Sequence, residues 1–287
     1  MTILLTGVNG LLGSRLKALL NGYTLIAPSR SDLDITDAAS VQAFAGITSP
    51  DIILHCAAYT DVERAETDVE GCYKVNVAGT MNLIQAFHTK QPKFVFISST
   101  GVYGKEKTRP YVEGDVPKPT TIYHQSKLEA EQLVKQHCHN FLILRTGWLF
   151  GGPVHAPKNF IYKRYLEAKD QAFLHSNPIQ RGNPTFVDDV VRQIELLLEK
   201  DCMGLYNCVN QGDASRLEYI QHIVQAFGLS TQVLPVEGRF QRKADVSDNE
   251  MAENFYLNLM GLNVMPHFEQ SLHTYADKVK AQLSAST

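Results

Sequence analysis

The sequence predicts an α/β fold built on a doubly wound parallel sheet. Three observations predict it. Short apolar runs of four or five residues recur through the first half of the chain. Stretches with helical spacing of apolar residues separate them, and a glycine-punctuated turn joins the first run to the first such stretch. Unbroken apolar runs belong to strands covered on both faces, and strand–helix alternation makes right-handed crossovers between parallel strands.

The elements follow in order. Ile3-Leu4-Leu5-Thr6 ends at Gly7 and reads as a buried strand. From Gly10 to Leu20, apolar residues at 11, 12, 16, 19 and 20 form a helical stripe. Thr24-Leu25-Ile26-Ala27 predicts a second strand and Ile52-Ile53-Leu54-His55-Cys56 a third. Phe94-Val95-Phe96-Ile97 and Phe141-Leu142-Ile143-Leu144 supply two more, with helical patterns around 38–46, 73–88 and 122–137. This places a main domain at about residues 1–150. Phe186-Val187-Asp188-Asp189-Val190 then opens an amphipathic helix to about Glu199. Leu205-Tyr206-Asn207-Cys208-Val209 predicts a strand, near 204–209, that returns to the main sheet. Residues 213–287 are mixed, with helices near 216–227 and 266–283. Residues 151–287 are therefore expected to form mainly a smaller C-terminal lobe.

Bulk composition narrows the function. The chain has 287 residues, 44% hydrophobic and 20% charged, which is ample for a core. A net charge of -3 without a basic run points away from nucleic acid and from a polybasic membrane contact. No apolar run reaches the roughly 18 residues that span a bilayer. Residues 2–6 already read as a core strand, so no secretory leader is expected ahead of it. Five cysteines, Cys56, Cys72, Cys138, Cys202 and Cys208, lack close Cys-x-x-Cys pairs, which fits reduced thiols in a cytoplasmic protein.

Gly7-Val8-Asn9-Gly10-Leu11-Leu12-Gly13 lies between strand one and helix one, where a Rossmann-type sheet cradles a pyrophosphate. Gly7 serves the tight turn, Gly10 the approach of phosphate, and Gly13 close helix–strand packing. Strand two ends in Ala27-Pro28-Ser29-Arg30-Ser31, without the carboxylate that would hold a ribose 2′-hydroxyl. Ser29 and Arg30 suit a 2′-phosphate instead, so the expected cofactor is NADPH, with NADH the alternative. Asp34 and Ile35 would flank the adenine. Cys56, Ala57 and Ala58 are small enough to admit the cofactor at the sheet edge.

Tyr123-His124-Gln125-Ser126-Lys127 supplies the chemistry. Tyr123 and Lys127 stand one helical turn apart and face one site. Hydride delivered to a ketone creates an alkoxide that needs a proton. A nearby ammonium is expected to bring the tyrosine phenol, ordinarily near a pKa of about 10, towards neutrality. Ser98, Ser99 and Thr100 end strand four at the ligand edge, where a group that hydrogen-bonds the substrate carbonyl belongs. Trp148, the single tryptophan, ends another strand there and suits stacking on a base or sugar. His137 and His139 lie on opposite sides of a helix and no zinc motif is present, so no metal site is expected.

Together these residues resemble the extended short-chain dehydrogenase/reductase superfamily and, within it, the dTDP-4-dehydrorhamnose reductase family. Asp32-Leu33-Asp34-Ile35-Thr36-Asp37, Ala57-Ala58-Tyr59-Thr60-Asp61-Val62, Val75-Asn76, Arg145-Thr146-Gly147-Trp148-Leu149-Phe150 and Gly182-Asn183-Pro184-Thr185 carry the likeness beside the tyrosine segment. The resemblance implies Tyr123 as the acid, Lys127 as its partner and Ser99, three residues before Val102-Tyr103-Gly104, as the hydroxyl. It implies that Gly7, Asn9, Gly10, Leu11 and Leu12 contact pyrophosphate and ribose, with Tyr59 near the cofactor. Thr60, Val62 and Trp148 would face a sugar nucleotide, helped by Asn159 and Gln180. The implied activity is NADPH-dependent reduction of a nucleotide-linked 4-keto-6-deoxysugar, with a homodimer as the ordinary assembly. An epimerase of the superfamily and a non-catalytic dinucleotide-binding regulator are the alternatives. The family's usual Ser-Thr-Asp-Tyr-Val-Phe is replaced here by Ser98-Ser99-Thr100-Gly101-Val102-Tyr103, and its late Arg-Pro-x-Asn-Ser by Arg242-Lys243-Ala244-Asp245-Val246.

Overall fold

A computed structural model of the chain describes residues 1–156, 159–236 and 242–285. Its centre is a six-stranded sheet. The strands are β1 (Thr2–Thr6), β2 (Thr24–Ile26), β3 (Ile52–His55), β4 (Lys93–Ser99), β5 (Phe141–Thr146) and a last strand, Gly204–Cys208. Counting from the β2 edge, the order is β2, β1, β3, β4, β5, then Gly204–Cys208, and every neighbouring pair is parallel. Each strand is apolar on both sides because both sides are covered. Leu4, Ile53, Phe96 and Ile143 pack into one layer, and Ile3, Leu5, Leu54, Val95 and Leu144 into the other. Helices Ala38–Ile47, Gly79–Ala86 and Ile122–His137 carry the first layer. Helix α1 (Leu11–Leu19), Val187–Glu199 and Phe268–Ser284 carry the second.

The chain leaves β1 for β2 on one side and returns as β3 on the other. That reversal opens a crevice at the carboxyl ends of the strands, the usual ligand position in such sheets. The long helical pattern at 73–88 is interrupted. Lys74–Ala78 forms one wider π-helical turn before Gly79–Ala86. The turn presents Asn76, whose Oδ1 accepts from the Tyr59 amide at 2.8 Å while its Nδ2 donates to Ser126 Oγ at 2.9 Å. Such insertions occur often at functional positions.

The later part of the chain adds small sheets that no apolar run announced. Arg181–Gly182 is the middle strand between Ala214–Ser215 and Asn249–Glu250. Trp148–Phe150 pairs with Pro184–Phe186, and Phe173–Ser176 with Gln232–Pro235. Helix Arg216–Phe227 begins with a reciprocal cap, Ser215 and Glu218 each bonding the other's backbone amide. Among the described residues, no helix is long and apolar enough to cross a membrane.

Candidate active site

A cleft of about 580 Å³ opens over the crevice. At one end is the glycine turn. Gly7 has φ +72°, and a Cβ there would stand 2.6 Å from the Ala57 amide nitrogen, so β1 and β3 approach too closely for any side chain. A Cβ on Gly13 would stand 2.1 Å from the Gly7 carbonyl oxygen. The first helix is thereby pulled against β1 with Gly10 as its cap residue. No side chain caps that end and no acid lies in its first turn, so its amides and positive dipole end face the cleft.

Most of the residues singled out from sequence line this one cleft: Gly7, Asn9, Gly10, Leu11, Leu12, Ser29, Arg30, Asp34, Ile35, Cys56, Ala57, Ala58, Thr60, Val62, Ser99, Tyr123, Lys127, Trp148 and Gln180. Two lie elsewhere. The Tyr59 hydroxyl donates to Asp68 at 3.0 Å, which holds its side chain outside the cleft wall. Asn159 is 1% exposed and caps helix Phe160–Asp170, accepting from the Tyr162 amide and donating to the Pro153 and Val154 carbonyls. Its side chain bonds within that turn rather than lining the cleft.

Ser98 and Ser99 both line the cleft but differ in their partners. Ser98 is buried and donates to Glu131 at 2.6 Å. Ser99 lines the cleft, and its oxygen takes one weak bond from the Gly101 amide at 3.3 Å.

The electrostatics differ from the expectation drawn from spacing. Burial, with the Cys72 thiol and the Glu250 carboxylate, pushes the Tyr123 phenol well above its usual pKa. The Lys127 ammonium lies over the Phe96 ring, 4.0 Å from the centroid. Burial lowers Lys127 itself to about 8. The phenol is therefore held protonated, the form that can donate.

Residues 1–281 match the family model of the RmlD substrate binding domain. The chain belongs to this family. It is 29% identical over 281 residues to a dTDP-4-dehydrorhamnose reductase of Mycobacterium tuberculosis, spanning 95% of this chain and 91% of that one. It is 31% identical to the spore coat polysaccharide biosynthesis protein SpsK of Bacillus subtilis, over 82% of each chain. Among solved structures, a dTDP-4-dehydrorhamnose reductase of Clostridium acetobutylicum superposes with a TM-score of 0.93, 29% identity, and coverage of 98% of this chain and 100% of that one. The Bacillus anthracis dTDP-4-dehydrorhamnose reductase, in complex with NADP, superposes at 0.91 with 31% identity, covering 96% and 99%.

This RmlD-family cleft also holds four titratable side chains that sequence reasoning did not single out as site residues: His124, Arg216, Arg242 and Glu250. The Arg216 guanidinium stacks on Trp148, 3.4 Å from the ring centroid, and burial lowers its pKa to about 10. Arg216 and Arg242 each donate to Gln180 Oε1 at 3.4 Å. Glu250 Oε2 accepts from Trp148 Nε1 at 2.6 Å and Gln180 Nε2 at 3.3 Å. The three-stranded sheet assembles this group, since Glu250 pairs with Gly182 and the Arg216 amide donates to the Gln180 carbonyl. The departure at Gly101 also gains a partner. A Cβ on Gly101 would stand 2.1 Å from His124 Nε2, so the imidazole occupies the space a side chain would need.

Proposed function

We propose that the chain is an NADPH-dependent reductase that converts the ketone of a nucleotide-linked 4-keto-6-deoxysugar to an alcohol, in deoxysugar biosynthesis in the cytoplasm. The observation that carries this reading is the meeting of the glycine turn with Ser99, Tyr123 and Lys127 in a single cleft.

The residues present fit the cofactor. The crowded backbone at Gly7 and Gly13 leaves a cradle, and the uncapped amides at the start of α1 suit a pyrophosphate. The Arg30 guanidinium is 80% exposed at the rim, 3.6 Å from Asp34, and with Ser29 it suits a 2′-phosphate. NADPH, when bound, supplies the hydride. The Tyr123 phenol donates the proton that the developing alkoxide needs. The Ser99 hydroxyl orients the ketone oxygen and donates to it as negative charge grows. The Lys127 ammonium favours the phenolate left after donation and holds ribose hydroxyls.

The substrate side is read from the later part of the chain, residues 151–287. Arg216 and Arg242 converge on one amide oxygen, which sets two cations side by side at the cleft wall. That arrangement suits the diphosphate of a sugar nucleotide, and Trp148 beneath Arg216 suits its sugar or base.

The test is NADPH oxidation with dTDP-4-keto-6-deoxyhexose, with and without a preceding 3,5-epimerase. Turnover only after epimerisation places the chain with reductases of the L-rhamnose series, and turnover without it with reductases of the unepimerised sugar. Tyr123→Phe should cut kcat by about 10²–10⁴-fold while leaving the NADPH dissociation constant unchanged. An enzyme indifferent to that change would not use this phenol as its acid.

A further inference from the structure

The imidazole beside the proton-donating tyrosine and the buried carboxylate opposite it are each half satisfied, in a complementary way. His124 and Glu250 are both 5% exposed, and both line the cleft. The Thr121 hydroxyl oxygen accepts from the His124 amide at 3.2 Å and lies 2.9 Å from Nδ1. Thr121 is fully buried and, among the described residues, Nδ1 is the acceptor in reach of its proton, so the arrangement that satisfies both groups has Thr121 donating to Nδ1 and the ring proton on Nε2. Glu250 spends Oε2 on Trp148 and Gln180. The two atoms left by these bonds, Nε2 of His124 and Oε1 of Glu250, face each other at 4.0 Å. That is too far for a hydrogen bond. It is the separation at which one oxygen, placed off the line between them, reaches both.

We propose that His124 and Glu250 form a donor–acceptor pair that reads a sugar hydroxyl next to the reacting ketone. The inference rests on the nucleotide-sugar reading of the cleft. Among the oxygens of a keto sugar, only a hydroxyl both accepts from Nε2–H and donates to a carboxylate oxygen. A ketone or ring oxygen accepts only and leaves Glu250 unmatched. The His124 ring packs on the Tyr123 ring, with centroids 4.9 Å apart, so the hydroxyl in reach adjoins the carbon being reduced. In a 4-keto-6-deoxysugar C5 carries the methyl group, and the neighbouring hydroxyl is the one on C3. Burial holds His124 below its ordinary pKa, which keeps it neutral with a single directed donor. The pair thus selects 3-hydroxy over 3-deoxy sugars, because a site built to hydrogen-bond a hydroxyl is left unpaired by an analogue that lacks it.

The experiment reads binding rather than turnover. Dissociation constants are measured by calorimetry, with NADP⁺ present, for a dTDP-linked 6-deoxyhexose and its 3-deoxy analogue. The wild-type protein should prefer the hydroxylated form by roughly tenfold or more. His124→Phe keeps a ring over Gly101 and removes the Nε2 donor, and should bring the ratio close to one. If that variant loses NADP⁺ binding and so has not folded, His124→Gln, which keeps a donor, should retain a reduced preference. A wild-type ratio near one, or a preference untouched by His124→Phe, overturns the pair. A clear preference without NADPH oxidation on any 4-keto substrate keeps the pair and overturns the reductase reading instead.

Discussion

At the residue scale the site turns on what burial does to two ionisable groups. Tyr123 is held as phenol, the form that the proposed proton donation requires. Lys127 is 3% exposed, and burial lowers its pKa from 10.5 to about 8, against the opposing pull of the Glu131 carboxylate and the Cys56 and Cys72 thiols. Between about pH 8 and pH 10.5 the unfolded chain therefore holds a proton that the folded chain has released. Stability contributed by this group rises with pH across that window. Activity should move the opposite way. As Lys127 loses its charge, the phenolate loses its partner, and kcat/KM should fall about tenfold per pH unit above pH about 8. A pH–rate profile beside urea midpoints at the same pH values separates the two trends. A flat profile through the window would remove the lysine charge from the mechanism. Arg30 offers an independent check on the cofactor. Arg30→Ala should raise KM for NADPH roughly tenfold and leave KM for NADH nearly unchanged, since only the former carries the 2′-phosphate.

At the scale of elements, the helix that carries Tyr123 and Lys127 is bolted to the sheet by a buried ion pair. Glu131, on that helix, takes two bonds from Arg145 of β5 at 2.6 and 2.9 Å and a third from Ser98 of β4. Neither charged side chain is more than 2% exposed. Glu131→Ala leaves the Arg145 cation buried without its partner and should cost about 3–5 kcal/mol, read as a lowered urea midpoint. Replacing both residues with apolar side chains of similar volume should recover much of that loss. A Glu131→Ala midpoint unchanged from wild type would mean the helix is held by packing alone. These elements were legible because their signals are local. The apolar runs of β1 to β5 and the stripes of their helices repeat within a few residues, and Tyr123 and Lys127 share one turn. The rest depends on distant partners. Phe173–Ser176 is a strand only because Gln232–Pro235 lies beside it. Arg216 reads as an ordinary first residue of a helix, and Glu250 enters the site only through its pairing with Gly182. Tyr59 and Asn159 stand off the cleft for the converse reason. Nearby caps, Asp68 for one and helix Phe160–Asp170 for the other, captured side chains that the family resemblance had assigned to ligands.

At the scale of the whole molecule, the cleft is completed by a strap that crosses from the later part of the chain to the first. Glu63 accepts from Arg242 Nε at 2.5 Å and from the amides of Lys243 and Ala244 at 2.9 and 3.3 Å. Further along, Thr120 donates to the Asp245 carbonyl, Ser247 to the Gly104 carbonyl, and Asn249 to the carbonyls of Lys107 and Arg109. The strap ends in Glu250 and so sets both the cation at Arg242 and the carboxylate opposite His124. Its first latch is partly exposed, with Arg242 at 28% and Glu63 at 39%, so screening limits what the ion pair adds to stability to about 1 kcal/mol or less. What it fixes is position. Glu63→Ala should raise KM for the nucleotide sugar roughly tenfold, because Arg242 no longer reaches Gln180 and the diphosphate pre-aligned. KM for NADPH should hold, since the glycine turn lies at the other end of the cleft and shares no hydrogen bond with the strap among the described residues. Glu63→Gln should fall between, keeping an acceptor for the two amides while losing the charge that aligns the guanidinium. Steady-state kinetics on the two variants decide the matter. If both Michaelis constants rise together, the strap acts on the fold as a whole, and the division of the cleft into a cofactor end and a sugar end fails with it.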